Sequence, residues 1–107
     1  MNLNKQGIIY KFLKDIGVCF KYDKIYPHQN KTKYKYDFYL NDLDFYIEYA
    51  GMENIIKTEK TEKIHKSYDE RLKVKRQLCV DNNLKHFFCN NVDEIMNFIK
   101  EIYDKKY

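Results

Sequence analysis

The sequence of 107 residues has no tryptophan, a single proline and only three glycines. It also has no apolar run of roughly 18 residues, the length that a membrane-spanning helix requires, so no membrane partner is expected. Its N-terminus lacks an apolar segment followed by small residues, so a cleavable signal peptide is not expected either. No linker, repeat or low-complexity stretch interrupts the chain, which predicts one domain over residues 1–107. The expected location is intracellular, in the cytoplasm or nucleoid or in a virus, and not secreted.

Cysteine is scarce and odd in number, which argues against a disulfide framework. Cys19, Cys79 and Cys89 are scattered along the chain and are interpreted as reduced, mostly buried thiols of an intracellular protein. His86 and Cys89 form an HxxC pair, but no second pair completes a zinc site. Packing on a strand is therefore favoured over zinc binding for these two residues.

The net charge of +4 is unevenly distributed. Residues 1–36 carry a net +6, residues 37–56 carry −5 without any basic residue, and residues 57–107 carry +3. Such a pattern suits a nucleic-acid enzyme, because the basic parts attract phosphate while the acidic segment holds a cation. A solvated acidic hairpin explains the same pattern, and charge alone does not decide between the two.

Hydrophobic spacing predicts a mixed α/β fold. In chain order the predicted elements are a helix at 4–17, strands at 18–22, 34–40 and 44–50, a helix at about 60–82, a strand at 84–89 and a helix at 90–107. Asn4 and Asn91 are expected to cap the first and last helices, and Gly17 to end the first in a left-handed conformation. The fourth strand should return parallel to the third through a right-handed crossover.

Two of the helices show clear apolar stripes. The first helix places Ile8, Phe12 and Ile16 on one stripe, with Ile9 and Leu13 beside it. The last helix is expected to bury Val92, Ile95, Met96, Ile99 and Tyr103. These stripes predict that both helices pack against the sheet.

Within the acidic segment, Asp37 and Glu48 are the acids that turn chemistry does not explain. Alternation on the third strand places Glu48 on the face opposite Ile47, between aromatic residues, where a glutamate is unfavourable without a partner. With the turn centred on residues 41–43, Asp37 is expected roughly opposite residue 47, one step from Glu48. The two carboxylates can then approach one site, and such a pair suits a hard cation such as Mg²⁺.

The long helix offers a complementary base, Lys75. It follows Tyr68 by seven residues, so the two are nearly superimposed on a helical wheel. Ile64, Leu72 and Cys79 share that side of the helix. From this position the Lys75 amine can reach a scissile phosphate or orient a metal-bound water. The alternative is a lysine at the edge of the stripe that merely covers apolar surface.

The segments "YDFYLNDLDFYIEYAG" and, downstream, "YDERLKVKR" resemble the PD-(D/E)XK nuclease superfamily. The similarity is to the subset with a DFYL…YIEY.G pattern and the lysine moved to the following helix. That subset occurs in nuclease domains of certain bacterial DNA helicases and in phage-type and very-short-patch-repair-like endonucleases. The resemblance extends from the first helix to about Cys89. It implies a restriction-endonuclease-like α-β-β-β-α-β core, a mixed sheet flanked by helices, here with a C-terminal helix added.

By position, the resemblance implies that Asp37 and Glu48 are metal ligands and that Lys75 is the catalytic lysine. The backbone carbonyl of Tyr49 is expected to be a further ligand. Ala50 stands where many relatives carry the lysine, and Gly51 matches a glycine at which the chain leaving the sheet needs freedom of φ. The implied cofactor is Mg²⁺, with Mn²⁺ as a substitute, and the implied activity is phosphodiester hydrolysis by a DNA endonuclease.

This sequence departs from the family in its first helix, which lacks the glutamate that many relatives have there. Asp23 or a water molecule is a possible substitute. A catalytically weak or inactive nuclease-fold module that binds nucleic acid or a protein partner therefore stays open as the alternative.

Substrate contacts are expected from four basic residues near the site: Lys31, Lys33, Lys35 and Arg71. The alternatives are a solvated loop with edge-strand lysines and, for Arg71, a surface ion pair. DNA is favoured as the substrate without excluding RNA, and recognition is expected to depend on DNA structure, a homodimer or a partner protein. A basic RNA-binding domain with exposed tyrosines is a further hypothesis, but it leaves Asp37 and Glu48 unexplained.

Overall fold

A computed structural model describes residues 4–27, 34–51 and 62–106, except for the side chains of His65 and Lys106. The elements are α1 (Lys5–Ile16), β1 (Phe20–Ile25), β2 (Lys35–Leu40), β3 (Phe45–Tyr49), α2 (Glu62–Asp81), β4 (Lys85–Cys89) and α3 (Val92–Lys106). The four strands form one sheet in the order β1-β2-β3-β4. Neighbours pair antiparallel except β3 and β4, which are parallel. The α/β class, the element order and the parallel return of the fourth strand are confirmed.

The boundaries of β1 differ from the predicted strand at 18–22. The strand begins two residues later because the N–H of Val18 donates to the Leu13 carbonyl and so completes the end of α1. It then continues to Ile25, which pairs with Lys35 at the start of β2. The other strands agree with the prediction to within one residue at each end.

The predicted helix caps are confirmed. The side chain of Asn4 accepts a hydrogen bond from the Gly7 N–H at 2.6 Å, and that of Asn91 accepts one from the Glu94 N–H at 3.0 Å. Gly17 has a φ of 74° and donates its N–H to carbonyls in the last turn of α1. These caps fix where α1 ends and where α3 begins.

The two faces of the sheet bury different clusters. α1 and α3 cover one face, around a core of Ile9, Leu13, Phe38, Leu40, Ile47, Tyr49, Ile95, Ile99 and Tyr103. The other face, toward α2, buries Tyr26, Tyr36, Tyr46 and Cys79. Glu48 lies on β3 between Ile47 and Tyr49, and its side chain contacts α2, so the predicted alternation along β3 is confirmed.

Two predicted apolar stripes need correction. The buried centre of α1 is Ile9 and Leu13, whereas Ile8 and Ile16 are 38% and 42% exposed, because the packing of α1 on α3 and the sheet sets which side of the helix turns inward. On α2, Ile64 is exposed. Ile64 lies one turn before Tyr68, whose hydroxyl bonds to the Tyr49 carbonyl at the end of β3. Ile64 therefore projects past the end of the strand. On α3, Ile95, Ile99 and Tyr103 are buried as predicted and Val92 packs half-buried against them, whereas Met96 is only half-buried and lies outside this core.

The three cysteines are free thiols in different environments. Cys79 is buried, Cys89 is half-buried on β4, and Cys19 is exposed, so the prediction of mostly buried thiols is wrong for Cys19. Cys19 lies in the connection before β1, outside both cores. Across residues 4–27, 34–51 and 62–106, no helix combines the length and apolar character needed to cross a bilayer.

Candidate functional site

Asp37 and Glu48 are neighbours across β2 and β3, one position beyond the last paired residues. The register pairs Phe38 with Ile47, so residue 47 does not lie opposite Asp37 as predicted, and the next position brings Asp37 to Glu48. The difference arises because the turn spans residues 41–44, so its centre lies slightly beyond the predicted one. Both acids are buried, with 9% of Asp37 and 2% of Glu48 exposed.

The β1–β2 ladder is interrupted at the same level. Tyr22 pairs with Phe38 and Lys24 with Tyr36, but Asp23, which has a φ of 53°, forms no ladder pair with Asp37 between them. Residues two apart on a regular strand share a face. Here Phe38 belongs to the α1–α3 core and Tyr36 to the cluster on the α2 side, so β2 changes face at Asp37. The interruption releases the backbone of Asp37 from β1.

The released backbone and side chain of Asp37 bond to β3 instead. The Tyr49 N–H donates to Asp37 Oδ2 at 2.8 Å, and the Asp37 N–H donates to Glu48 Oε2 at 3.3 Å. In a strand the N–H and C=O of one residue point to the same side, so the Tyr49 carbonyl is directed toward the same gap. The gap between β2 and β3 is therefore lined by two carboxylates and one carbonyl.

Lys75 reaches this gap from α2. Its Nζ lies 2.6 Å from Glu48 Oε1, in an ion pair whose side chains are 17% and 3% exposed. Tyr68, two turns earlier on α2, donates its hydroxyl to the Tyr49 carbonyl at 3.4 Å and to the Gly51 carbonyl at 3.2 Å. α2 is thus joined to the end of β3 at two points, and these points hold the Lys75 amine at the acidic pair.

Gly51 is required by a close approach and not by its backbone angle. A Cβ at this position would collide with the Tyr49 side chain, and Gly51 is not in the positive-φ region. The expectation that the chain needs freedom of φ here is wrong. The glycine instead leaves room for the ring of Tyr49 as the chain leaves β3.

Gln6 of α1 is a site residue that the sequence reasoning missed. Its Nε2 donates to Asp37 Oδ1 at 3.3 Å, and its Oε1 accepts from the Tyr22 hydroxyl at 3.4 Å. The first helix therefore reaches the site with a neutral amide. The available signal was spacing, because Gln6 shares a helical face with Ile9 and Leu13, the buried centre of α1.

The electrostatics of the pair are unbalanced. Burial raises the pKa of Asp37 to about 6, although the Tyr49 N–H and the Lys75 charge act in the opposite direction. Burial and then the charge of Asp37 raise the pKa of Glu48 to about 7, again opposed by Lys75. Two buried carboxylates thus face one ammonium group. The anionic form of the pair is unfavourable without a further cation.

A cleft of about 400 Å³ opens at Asp37 and Lys75, next to the buried Glu48. It is lined by Asp23, Tyr34, Lys35, Asp37, Arg71 and Lys75. The structure therefore brings the predicted substrate contacts Lys35 and Arg71 to the same opening as Asp37 and Lys75. Asp23, the predicted substitute for the missing glutamate, lines this cleft as well, whereas Lys31 and Lys33 lie outside the described residues.

The chemistry of the donor set fits a hard cation. Asp37, Glu48 and the Tyr49 carbonyl offer only oxygen, the ligand that Mg²⁺ prefers, with water completing the shell. The contacts at Asp37 Oδ1 and Glu48 Oε2 are both 3.3 Å long, so these two oxygens lose little by accepting a cation. Within residues 4–27, 34–51 and 62–106, no cluster of three or more His, Cys, Asp or Glu side chains is placed to hold a metal. A site here therefore depends on two carboxylates, the carbonyl and water.

Comparisons with protein-family models, with curated proteins and with solved structures find no match to this chain. The similarity to PD-(D/E)XK nucleases accordingly depends on the sequence pattern described above. Arguments about function depend on the side chains that meet between β2, β3 and α2.

Proposed function

We propose that the protein is a metal-dependent nuclease that hydrolyses phosphodiester bonds, with DNA as the preferred substrate. The observation that carries the proposal is the convergence of Asp37, Glu48 and Lys75 beside a cleft that is lined by Asp37 and Lys75 together with the exposed bases Lys35 and Arg71. Mg²⁺, or Mn²⁺ in its place, would be held by Asp37, Glu48 and the Tyr49 carbonyl.

A purely structural ion pair is a poorer explanation of this site. Burying charge is costly unless each charge is matched, and a buried pair is seldom more stable than an apolar replacement. Here Lys75 balances only one of two buried carboxylates, and the pKa of both is raised. Asparagine or glutamine at either position would avoid the cost, so the second acid is better explained by a cation that it binds.

The roles of the side chains follow from their positions. A divalent ion bound here supplies a Lewis acid and lowers the pKa of water, which makes a nucleophile available near neutral pH. Asp37 and Glu48 fix the position of that ion. Lys75 donates hydrogen bonds to the attacking water or to a phosphate oxygen and balances the charge that develops there.

Lys35 and Arg71, which are exposed and line the cleft, would bind the phosphates that flank the scissile bond. Contacts of this kind position the backbone but carry no sequence information. Selectivity is therefore expected to come from the structure of the DNA, such as a junction, flap or end, or from a second copy or a partner protein.

The test is a cleavage assay of the purified protein on plasmid, single-stranded DNA, branched DNA and RNA. We expect DNA cleavage with Mg²⁺ or Mn²⁺, none with EDTA, and a loss of about 100-fold or more in Asp37→Asn. Asp42→Asn, which changes an exposed acid in the adjoining turn, is the matched control and should cleave like the wild type. Binding of DNA without cleavage under either metal would contradict the proposal and favour a non-catalytic binding module on the same fold.

A further inference from the structure

A second cleft, of about 480 Å³, opens on the α2 side of the sheet, toward the β1 edge. Its walls come from β1 and the residues just after it, from β2, and from the turn that leads into β3. They are formed by Lys21, Lys24, Ile25, Pro27, Tyr36, Tyr39, Asp44 and Tyr46. The volume is within the range of small-molecule sites. None of these residues has a role in the hydrolysis proposed above.

The inner wall of this cleft is aromatic. The ring centroids of Tyr39 and Tyr46 are 4.8 Å apart, and those of Tyr36 and Tyr46 are 5.2 Å apart. Tyr36 and Tyr46 are buried, whereas Tyr39 is only half-buried and is the ring that the cleft exposes most. The three tyrosines form a fixed wall because each ring packs on another.

The outer wall of the cleft is charged and polar. Lys21 and Lys24 are exposed, and the ammonium group of Lys21 lies over the Tyr39 ring, 5.8 Å from its centroid. The Tyr39 hydroxyl donates to Asp44 Oδ1 at 2.7 Å, which holds the ring in place. An aromatic face beside two exposed cations and one carboxylate suits a ligand with a flat ring system, an anionic group and donors on its edge.

From this arrangement we propose that the second cleft binds an unpaired nucleotide of the nucleic-acid substrate, with its base stacked on Tyr39 and a phosphate held by Lys21 and Lys24. Stacking on aromatic side chains beside basic groups is the usual way in which proteins bind single strands. Lys21 would leave the Tyr39 ring to bind the phosphate, and Asp44 would accept a hydrogen bond from an N–H group on the edge of the base. This inference rests on the proposed function, because it names the feature of the substrate that the nuclease would recognise.

The two clefts are placed to contact one strand. Tyr39 is two residues from Asp37 on β2, and Lys21 is two residues from Asp23 on β1. Two residues of a strand span about 7 Å, so a base on Tyr39 would lie within a few nucleotides of a phosphate at Asp37. Nucleic acids with an unpaired segment next to the scissile bond are then preferred over blunt duplexes.

The experiment measures binding in EDTA, where no cleavage occurs, with a fluorescein-labelled ten-nucleotide oligothymidylate and a blunt duplex of the same length. We expect tighter binding of the single strand, together with quenching of tyrosine fluorescence, which reports stacking because the protein has no tryptophan. Tyr39→Leu, which keeps an apolar side chain but loses the aromatic face, should weaken binding about tenfold, whereas Tyr39→Phe should not.

A comparison of two double variants tests whether Lys21 and Lys24 bind the phosphate. Lys21→Ala/Lys24→Ala should lower the slope of log affinity against log salt by about 0.7, the value for one phosphate contact on a single strand. Lys11→Ala/Lys105→Ala removes the same charge from exposed positions on α1 and α3 and should leave binding nearly unchanged. Equal weakening by the two double variants, or no effect of Tyr39→Leu, would overturn the inference.

Failure of the proposed function is separable from failure of this inference. If the protein binds single strands through Tyr39 but cleaves no nucleic acid, the role of the second cleft is supported and the proposed nuclease function is contradicted. Metal-dependent cleavage that shows no preference for unpaired substrates and is unaffected by Tyr39→Leu would do the reverse.

Discussion

At the scale of residues, the site is defined by an excess of buried negative charge. Glu48 has a basic partner at 2.6 Å, while Asp37 is held by the Tyr49 N–H and the Gln6 amide, both of them neutral donors. Hydrogen bonds compensate only part of the cost of burying a carboxylate. The pKa of both acids is raised for this reason, and the same excess makes the gap attractive to a divalent cation.

The raised pKa values predict how stability depends on pH in EDTA. An acid that binds its proton more tightly when folded stabilises the protein below its unfolded pKa, and that contribution is lost as pH rises through the folded value. The melting temperature should therefore fall between about pH 5 and pH 8, as the groups with pKa values of about 6 and about 7 ionise.

Glu48→Gln should flatten this dependence, whereas Glu70→Gln, at an exposed position on α2, should follow the wild type. Adding Mg²⁺ should raise the melting temperature at pH 8 more than at pH 5, because protons compete with the metal for the same oxygens. Thermal unfolding across pH measures both effects. A melting temperature that rises toward pH 8 in EDTA would contradict the assignment.

At the scale of elements, the site depends on where α2 lies against the end of β3. The Tyr68 hydroxyl holds α2 to the carbonyls of Tyr49 and Gly51, and Lys75 holds it to Glu48. Burial and the charges of Asp37 and Glu48 raise the pKa of Tyr68 to about 12, so its hydroxyl remains a donor at neutral pH. Two contacts two helical turns apart fix both the position and the rotation of α2.

Tyr68→Phe tests this contact between α2 and β3. The variant removes a hydroxyl that serves two carbonyls, and we expect a loss of about 1 kcal/mol in the free energy of unfolding. Activity should fall while Mg²⁺ still stabilises the protein, because Lys75 loses its fixed position but Asp37 and Glu48 do not. Urea unfolding and cleavage rates measure the two effects. Tyr10→Phe, at an exposed position on α1, is the control, and equal effects of both variants would contradict the role of Tyr68.

Element order, the parallel return of β4 and the helix caps could be predicted because periodicity and capping residues are local signals. The interruption at Asp23 and Asp37 could not, since a change of face on β2 depends on packing against two different layers. The contact of Gln6 with Asp37 could not be predicted either. It follows from the rotation of α1, which buries Ile9 and Leu13 and leaves Ile8 and Ile16 exposed. The register at Glu48 was missed by one position because it depends on the exact centre of the turn.

At the scale of the whole molecule, two basic segments flank a short acidic segment in the sequence. The net charge of +4 combines +6 over residues 1–36 with −5 over residues 37–56 and +3 over the remainder. In the fold, Asp37 lines a cleft beside the buried Glu48, and the exposed cations Lys35 and Arg71 line the same cleft. If the protein is the nuclease proposed above, these cations would attract phosphate toward the acidic pair.

This arrangement predicts that removing the cations of the cleft weakens substrate binding more than it slows the cleavage step. Lys35→Ala/Arg71→Ala should lower the slope of log affinity against log salt by about 1.8 on duplex DNA and should raise KM more than it lowers kcat. Lys11→Ala/Lys105→Ala, which removes the same charge on the far face of the sheet, should change neither quantity. Equal effects of the two variants would mean that net charge, and not the rim of the cleft, governs binding.

The most direct measurement is Mg²⁺-dependent DNA cleavage by Glu48→Gln, compared with Glu70→Gln and with the wild type. Glutamine keeps the size of Glu48 and its acceptor oxygen for Lys75, so the variant should fold, with a melting temperature in EDTA at pH 8 no lower than that of the wild type. The account predicts that cleavage falls by about 100-fold or more in Glu48→Gln and is unchanged in Glu70→Gln. Undiminished cleavage by folded Glu48→Gln would contradict it.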